Sequence, residues 1–248
     1  MPSHRVWLDE FPDRPGQTVT LTGEEAHHAA RVKRLSSGDT VELLDGSGRV
    51  ASARVSQSRK TSRHGWEIDL AVEQINVFDQ VRPAVEVRSA VPKGDRLEQM
   101  IDGLVQVGAA AWSPLVSTRS VVDPREGKLA RLERVVHEAC KQSGRPWKLR
   151  LGASASLADS LAGAPGERII IADASGAPYT PDPAADAIRI IIGPEGGWTP
   201  EELSAAGGRA TIACFGPHTM RIETAAVAAA AIVVSHGISA VNSDPDPR

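Results

Sequence analysis

Only two cysteines occur in the 248 residues, Cys140 and Cys214, far apart and with no CxxC pair or His/Cys cluster around either. That excludes a thiolate zinc site and a disulfide framework, so no metal is expected, and it fits a reduced, cytoplasmic setting. Long apolar runs are missing too. No window approaches the roughly 18 apolar residues of a membrane span, and the N-terminal MPSHRVWLDEF lacks the apolar stretch of an export signal. A soluble, unexported protein with no membrane partner is expected. Nor is there a dominant sign of charge: 28 Lys and Arg face 31 Asp and Glu, for a formal net of -3. Binding to nucleic acid would therefore need a local basic patch. Aromatic residues are only 4% of the chain, which points to no mechanism. Neither GxGxxG nor GxxxxGK followed by Ser or Thr is present, so dinucleotide and nucleoside triphosphate binding lose their main support.

What is present divides in two. Residues 1–75 read as short strands with turn punctuation, at Val19 to Leu21, Thr40 to Leu44, Val50 to Gln57 and Trp66 to Gln74, a spacing that suggests a small barrel. One helix interrupts them from Gly23 to Leu35, with Thr22 and Glu25 spaced as a capping box. From residue 76, strands alternate with helices, the signature of a mostly parallel sheet covered on its faces, and this α/β unit is expected to reach residue 240. Strands are expected at Val85 to Val91, Ala110 to Leu115, Arg168 to Ala172, Ile188 to Ile192 and Thr211 to Phe215. Helices are expected at Arg96 to Val107, Leu129 to Ser143 and Glu223 to Ser235. The last eleven residues, ISAVNSDPDPR, read as a frayed tail, with 241–248 assigned to no domain.

Two loops could carry chemistry. After the apolar strand ending at Ile192 comes Gly193-Pro194-Glu195-Gly196-Gly197, and ligands bind beyond such carboxyl ends in open parallel sheets. Gly196 and Gly197 permit positive φ, so the loop can bring its backbone close to a ligand. Thr199-Pro200-Glu201-Glu202 then has the pattern of a helix start, with Thr199 and Glu202 as a capping box. By itself this is equally an ordinary strand-to-helix turn. The second loop, CFGPHTMRIETAA, places Arg221 and Glu223 just ahead of a long Ala-rich helix. That pair reads either as a structural salt bridge with a helix cap or as charge aimed into a shared pocket.

GPEGG followed by the R-x-E-T-A stretch resembles the ribosomal RNA small subunit methyltransferase E family, the 16S rRNA uracil-N3 methyltransferases of the SPOUT superfamily. HHAARVKRLSSGDTVELLDGSG, WSPLVSTRSVV and HEACKQSGRP are similar to further signatures of that family, and the likeness extends from about residue 5 to 236. The resemblance implies a SPOUT α/β domain with a C-terminal deep trefoil knot behind a PUA-like β-barrel, a homodimer, and S-adenosylmethionine as methyl donor. It also implies two cofactor-binding loops, one with Ile192, Gly193, Pro194, Glu195, Gly196 and Gly197, the other with Phe215, Gly216, Thr219, Met220 and Arg221, and Ile171 to Asp173 as a wall. A Gly-rich loop without Lys suits a sulfonium, which a lysine would repel.

Methylation at uracil N3 requires loss of the imide proton, hence a base or a stabiliser of the developing anion. Arg221 is the expected stabiliser, and Glu223 either orients it or acts as base. Glu195 either takes part or holds the loop together. Arg5, Arg31, Lys33, Arg34, Arg119 and Arg145 are the candidates for contact with 16S rRNA in the small ribosomal subunit, although charge runs of this kind also make plain solvated faces. His27 and His28 read as packing residues. Three departures bear on the substrate side: Gly103 to Ala109 replaces the family's K-x-TELGV, His218 replaces an Arg, and Met220 replaces a Leu. A relative that methylates another RNA site, or a noncatalytic assembly factor, therefore stays open.

Overall fold

The computed structural model describes residues 4–61, 65–120 and 126–242. The chain divides into two compact units, Met1–Asp79 with Cys140–Lys148, and Gln80–Ala139 with Leu149–Arg248.

The first unit is built on a five-stranded sheet ordered β1-β3-β4-β5-β2. Its strands are β1 (His4–Trp7), β2 (Thr18–Leu21), β3 (Thr40–Leu44), β4 (Arg49–Thr61) and β5 (Gly65–Val77). Alternation decides which face is buried. Ala51, Ala53 and Val55 of β4 point the same way as Ile68, Leu70 and Val72 of β5, and all six lie in one core with Val6, Val41 and Leu43. Each fully buried Val, Leu or Ile side chain there contributes about 1.5–3 kcal/mol. Helix α1 (Gly23–His27) and a following π-helical turn (His28–Val32) add Ala26 and Ala29 to that core.

The expected capping box at Thr22 does not form, because Thr22 makes no side-chain cap and Glu25 is held instead by Lys141, with Nζ 2.7 Å from Oε1. The helix also stops short of Leu35: the π turn ends at Val32, and Arg34 takes a left-handed φ of 55°. Residues 140–148, placed by sequence in the α/β part, join this first unit. Arg5 binds Glu42 at 2.8 Å and donates to the carbonyls of Lys141 and Gln142 at 3.1 Å each, and Trp147 donates to Phe78 O at 2.7 Å.

The second unit carries a parallel sheet ordered β12-β10-β11-β6-β7-β8, with β9 paired to β7. The strands are β6 (Ala84–Ser89), β7 (Ala111–Val116), β8 (Arg150–Leu151), β9 (Ala155–Ser156), β10 (Glu167–Pro178), β11 (Ala187–Ile192) and β12 (Thr211–Cys214). The helices are α2 (Arg96–Gln106), α3 (Glu126–Ser143), α4 (Leu157–Ser160), α5 (Pro200–Ala205) and α6 (Ile222–Asn242). β11 is buried from Ile188 to Ile192 because it pairs with β10 on one side and β6 on the other, in a sheet whose strands read as continuous apolar runs.

β10 runs past its expected end at Ala172, shifting register against β12 between Ala172 and Ala177. At that shift Gly176 lies so close to the β12 backbone that a Cβ would sit 2.6 Å from Ala213 N. The C-terminal helix continues to Asn242, so Ile238 to Asn242 are helical where a frayed tail was expected; residues 243–248 of that tail lie outside the described residues.

Candidate functional site

The neighbouring strands β11 and β12 end on the same side of the parallel sheet, beside the register shift of β10, and together they line a cavity of about 250 Å³. The β11 loop contributes Ile192, Gly193, Pro194, Glu195, Gly197 and Trp198; the β12 loop contributes Phe215, Gly216, His218, Thr219 and Met220. β10 supplies Ala172, Asp173 and Ala174 as a wall, Cys214 ends β12, and Ile222 and Ala225 of α6 close one side. Two carboxylates, Asp173 and Glu195, line it, and among the described residues no Lys or Arg does. The lining therefore suits a cationic or neutral ligand with apolar parts better than a polyphosphate.

Local structure explains the shape of the β11 loop. Thr199 caps α5 by accepting from Glu202 N at 3.2 Å, while the Glu202 carboxylate accepts from Thr199 N at 2.8 Å and Thr118 N at 2.9 Å. Burial raises the pKa of Glu202, but these backbone donors outweigh it and leave the pKa below the usual value. Glu202 thus ties the capping box expected at Thr199 to the turn after β7. Gly197 has a φ of 70°, which favours glycine. Trp198, absent from the sequence candidates, folds back under the loop and donates from Nε1 to Ala172 O at 3.3 Å. An aromatic residue directly after Gly-Gly was the available signal.

Not every expected residue faces the cavity. Gly196 and Arg221 are outside its lining. Gly196 is bound from behind, its carbonyl accepting from Arg119 Nη1 at 2.6 Å. Arg221 is exposed between Met220 and Ile222, both of which line the cavity. Glu223 turns the other way, towards a groove between α2 and α6 that it lines with Gly103 and Val227. The salt-bridge reading of Arg221 with Glu223 gives way to a different pair: Glu223 Oε1 is 3.7 Å from Arg96 Nη1, and Arg96 also binds Glu195 at 3.4 Å. Arg96 was not among the sequence candidates.

The basic candidates separate as well. Arg31, Lys33 and Arg34 are exposed around the π turn. Arg5 braces residues 140–148, Arg145 is half-buried with burial lowering its pKa, and Arg119 grips the β11 loop. His28 stacks on His4 at 6.0 Å, but His27 and His28, expected as packing residues, are both exposed. Cys140 is buried and Cys214 half-buried, and no group of three or more potential metal ligands occurs among the described residues. No helix among them is long and apolar enough to cross a membrane.

A family model described as an RNA methyltransferase domain matches residues 80–234, and one described as an RNA methyltransferase PUA domain matches residues 21–62. The ribosomal RNA small subunit methyltransferase E of Synechocystis sp. is 32% identical over 197 residues, covering 76% of this chain but only 63% of that protein. The protein of the same name from Mycobacterium tuberculosis is 29% identical over 248 residues, covering 90% of this chain and 88% of its own. A crystal structure of a ribosomal RNA small subunit methyltransferase E from Neisseria gonorrhoeae, bound to S-adenosyl methionine, matches with a TM-score of 0.82 and 25% identity over 93% of this chain and 96% of that one. With the first model spanning the whole sheet and its cavity, and the second lying on the N-terminal strands, the chain belongs to the RNA methyltransferase family, an α/β methyltransferase domain preceded by a PUA-like domain.

Proposed function

We propose that this chain methylates N3 of a uridine in 16S rRNA of the small ribosomal subunit, with S-adenosylmethionine as methyl donor, working in the cytoplasm as a homodimer. The observation that carries the reading is the cavity at the ends of β11 and β12 and beside β10, lined by two carboxylates, glycines, apolar side chains and the His218 imidazole, with no Lys or Arg among its described lining residues. Those residues fit the cofactor: Asp173 and Glu195 are compatible with a sulfonium, the Gly193 and Gly216 backbones can be approached closely, and Ile192, Phe215 and Met220 offer apolar surface. When bound, S-adenosylmethionine supplies an activated methyl group.

The protein's part is then mostly positioning and charge stabilisation. In this reading Arg221, exposed between two lining residues, stabilises the uracil imide anion as the N3 proton passes to water. Glu223, whose carboxylate turns towards Arg96, supports the site from outside the cavity. Arg31, Lys33 and Arg34 contact RNA phosphates through the first unit, whereas Arg5, Arg119 and Arg145 serve the fold of their own surroundings. Homodimer formation would cover the groove lined by Gly103, Glu223 and Val227, and the C-terminal knot implied by the resemblance belongs to the same reading.

The test is transfer from labelled S-adenosylmethionine to small ribosomal subunits from a strain lacking this gene, with products mapped by mass spectrometry. N3-methyluridine formed by the wild type and lost in Arg221→Ala is the expected result. A methyl group on another nucleotide, or none at all, would overturn the assignment.

A further inference from the structure

Arg96 opens α2, and its guanidinium stands between two carboxylates brought from distant parts of the chain. Nη1 lies 3.4 Å from Glu195 Oε1 in the cavity loop and 3.7 Å from Glu223 Oε1 in the first turn of α6. Nε donates to Lys93 O at 3.2 Å, which fixes the side chain on the turn after β6. The three residues differ in exposure in a way that matters. The Glu195 side chain is 51% exposed and could swing into water, whereas that of Glu223 is 13% exposed and its Oε2 is buried without a hydrogen-bond partner. A buried carboxylate oxygen lacking a donor makes the nearby cation matter more to the site than an exposed pair would.

We infer that Arg96 is a positioning residue for the cofactor pocket, a bridge that fixes the loop 193–198 to the N-terminal turn of α6. One guanidinium serves two carboxylates, so removing it leaves two like charges near each other, one of them largely buried. The cheaper relaxation is outward movement of Glu195, because that end already reaches solvent. Glu195 lines the cavity, so its movement opens the loop. Arg96 is not itself among the described lining residues and is joined to the pocket through Glu195. Lysine is a poor substitute, since a single ammonium lacks the fork with which a guanidinium spans two acceptors and a backbone carbonyl.

The inference rests on the proposed cofactor reading for one of its two readouts. The first readout needs no ligand: native-state amide exchange of residues 195–198 in the ligand-free protein should quicken by about tenfold in Arg96→Gln, while exchange in the core of β6 and β11 stays unchanged. The second is calorimetric titration with S-adenosylmethionine, where Kd should rise by about tenfold, equivalent to about 1.4 kcal/mol. In a Glu195→Gln background, Arg96→Gln should add less than about twofold to either readout, because the bridge is already broken. Arg96→Lys should fall between wild type and Arg96→Gln. Should Arg96→Gln fail to fold, Glu195→Gln alone at its exposed site should still quicken exchange of the same amides.

Unchanged exchange in the loop, or effects of the two substitutions that simply add, would overturn the bridge. If the wild type does not bind S-adenosylmethionine, the cofactor reading fails while the exchange comparison still decides the role of Arg96.

Discussion

The indole of Trp198 occupies the space in which a side chain on Gly193 would begin: a Cβ there would lie 2.7 Å from Trp198 Cε2. Gly193 is required by close approach, whereas Gly197 is required by its positive φ. Gly193→Ala should therefore push the ring off its hydrogen bond to Ala172 O, costing about 1–3 kcal/mol as an overpacked site. Both residues line the cavity. Thermal unfolding and calorimetry together check this, with Tm lowered and S-adenosylmethionine binding weakened by about tenfold or more. Wild-type affinity in Gly193→Ala would show that the ring has room to yield.

Arg189 is the polar exception in β11. Its Nε binds Glu86 Oε2 at 3.0 Å, Nη2 binds Glu167 Oε1 at 3.0 Å, and Nη1 donates to Ser160 O at 2.9 Å. Arg189 and Glu167 side chains are each 9% exposed, so solvent screens this network little. Burial alone raises the pKa of Glu86, but hydrogen bonds from Arg88 and Arg189 outweigh it and hold the pKa below its usual value. Arg189→Ala should lose about 3–5 kcal/mol in urea unfolding because it leaves the buried Glu167 carboxylate without its cation, while Glu86 keeps Arg88. Adding Glu167→Gln should recover part of that loss. A loss below about 1 kcal/mol would mean water enters the gap.

How far the sequence foretold this architecture depends on how local each determinant is. The β11 strand was legible because five consecutive apolar or buried positions bounded by glycine leave few alternatives, and the Thr199 cap because its partner Glu202 is three residues away. Thr22 and Glu25 carry the same spacing, yet Lys141 takes the glutamate from 116 residues along the chain. The strand β1 is four residues, His4–Trp7, too short to show a period. Likewise, the cavity loops could be found from Gly and Pro at strand ends, whereas Arg96 and Trp198 depend on where separate elements meet. Glu223 was noticed for its neighbour Arg221 and turned out to face Arg96.

His4 should leave a signature in the pH dependence of stability. Burial, then the charges of Lys33, His28 and Lys141, lower its pKa from 6.5 to about 4, and its Nε2 is buried without a partner. The folded state keeps the ring neutral down to about pH 4, while the unfolded chain takes up a proton near 6.5. The stability tied to the neutral ring is thus complete above pH 6.5 and declines as the pH falls towards 4. His4→Phe keeps a ring facing His28 but cannot be protonated. Its unfolding free energy should therefore fall less steeply than that of the wild type over this range. Parallel curves for the two proteins would show that His4 is not responsible.

Gly103 stands where the resemblance leads one to expect a lysine, and the structure gives the glycine a packing role. A Cβ at Gly103 would be 2.7 Å from Val227 Cγ2, so the glycine allows α2 and α6 to approach closely at this crossing. The φ of Gly103 does not lie in the left-handed region, and its cost to helix propensity, about 1 kcal/mol relative to Ala, is offset by that packing. Restoring the family residue alone should therefore do harm: Gly103→Lys should destabilise by about 1–3 kcal/mol through overpacking. Trimming the opposing side chain should relieve it, so Gly103→Lys with Val227→Ala should be more stable than the sum of the two single losses. Urea unfolding of all four proteins measures the coupling directly. If the losses add, the helices separate easily and the glycine is not set by Val227. If they couple, the glycine at 103 and the valine at 227 are one structural choice.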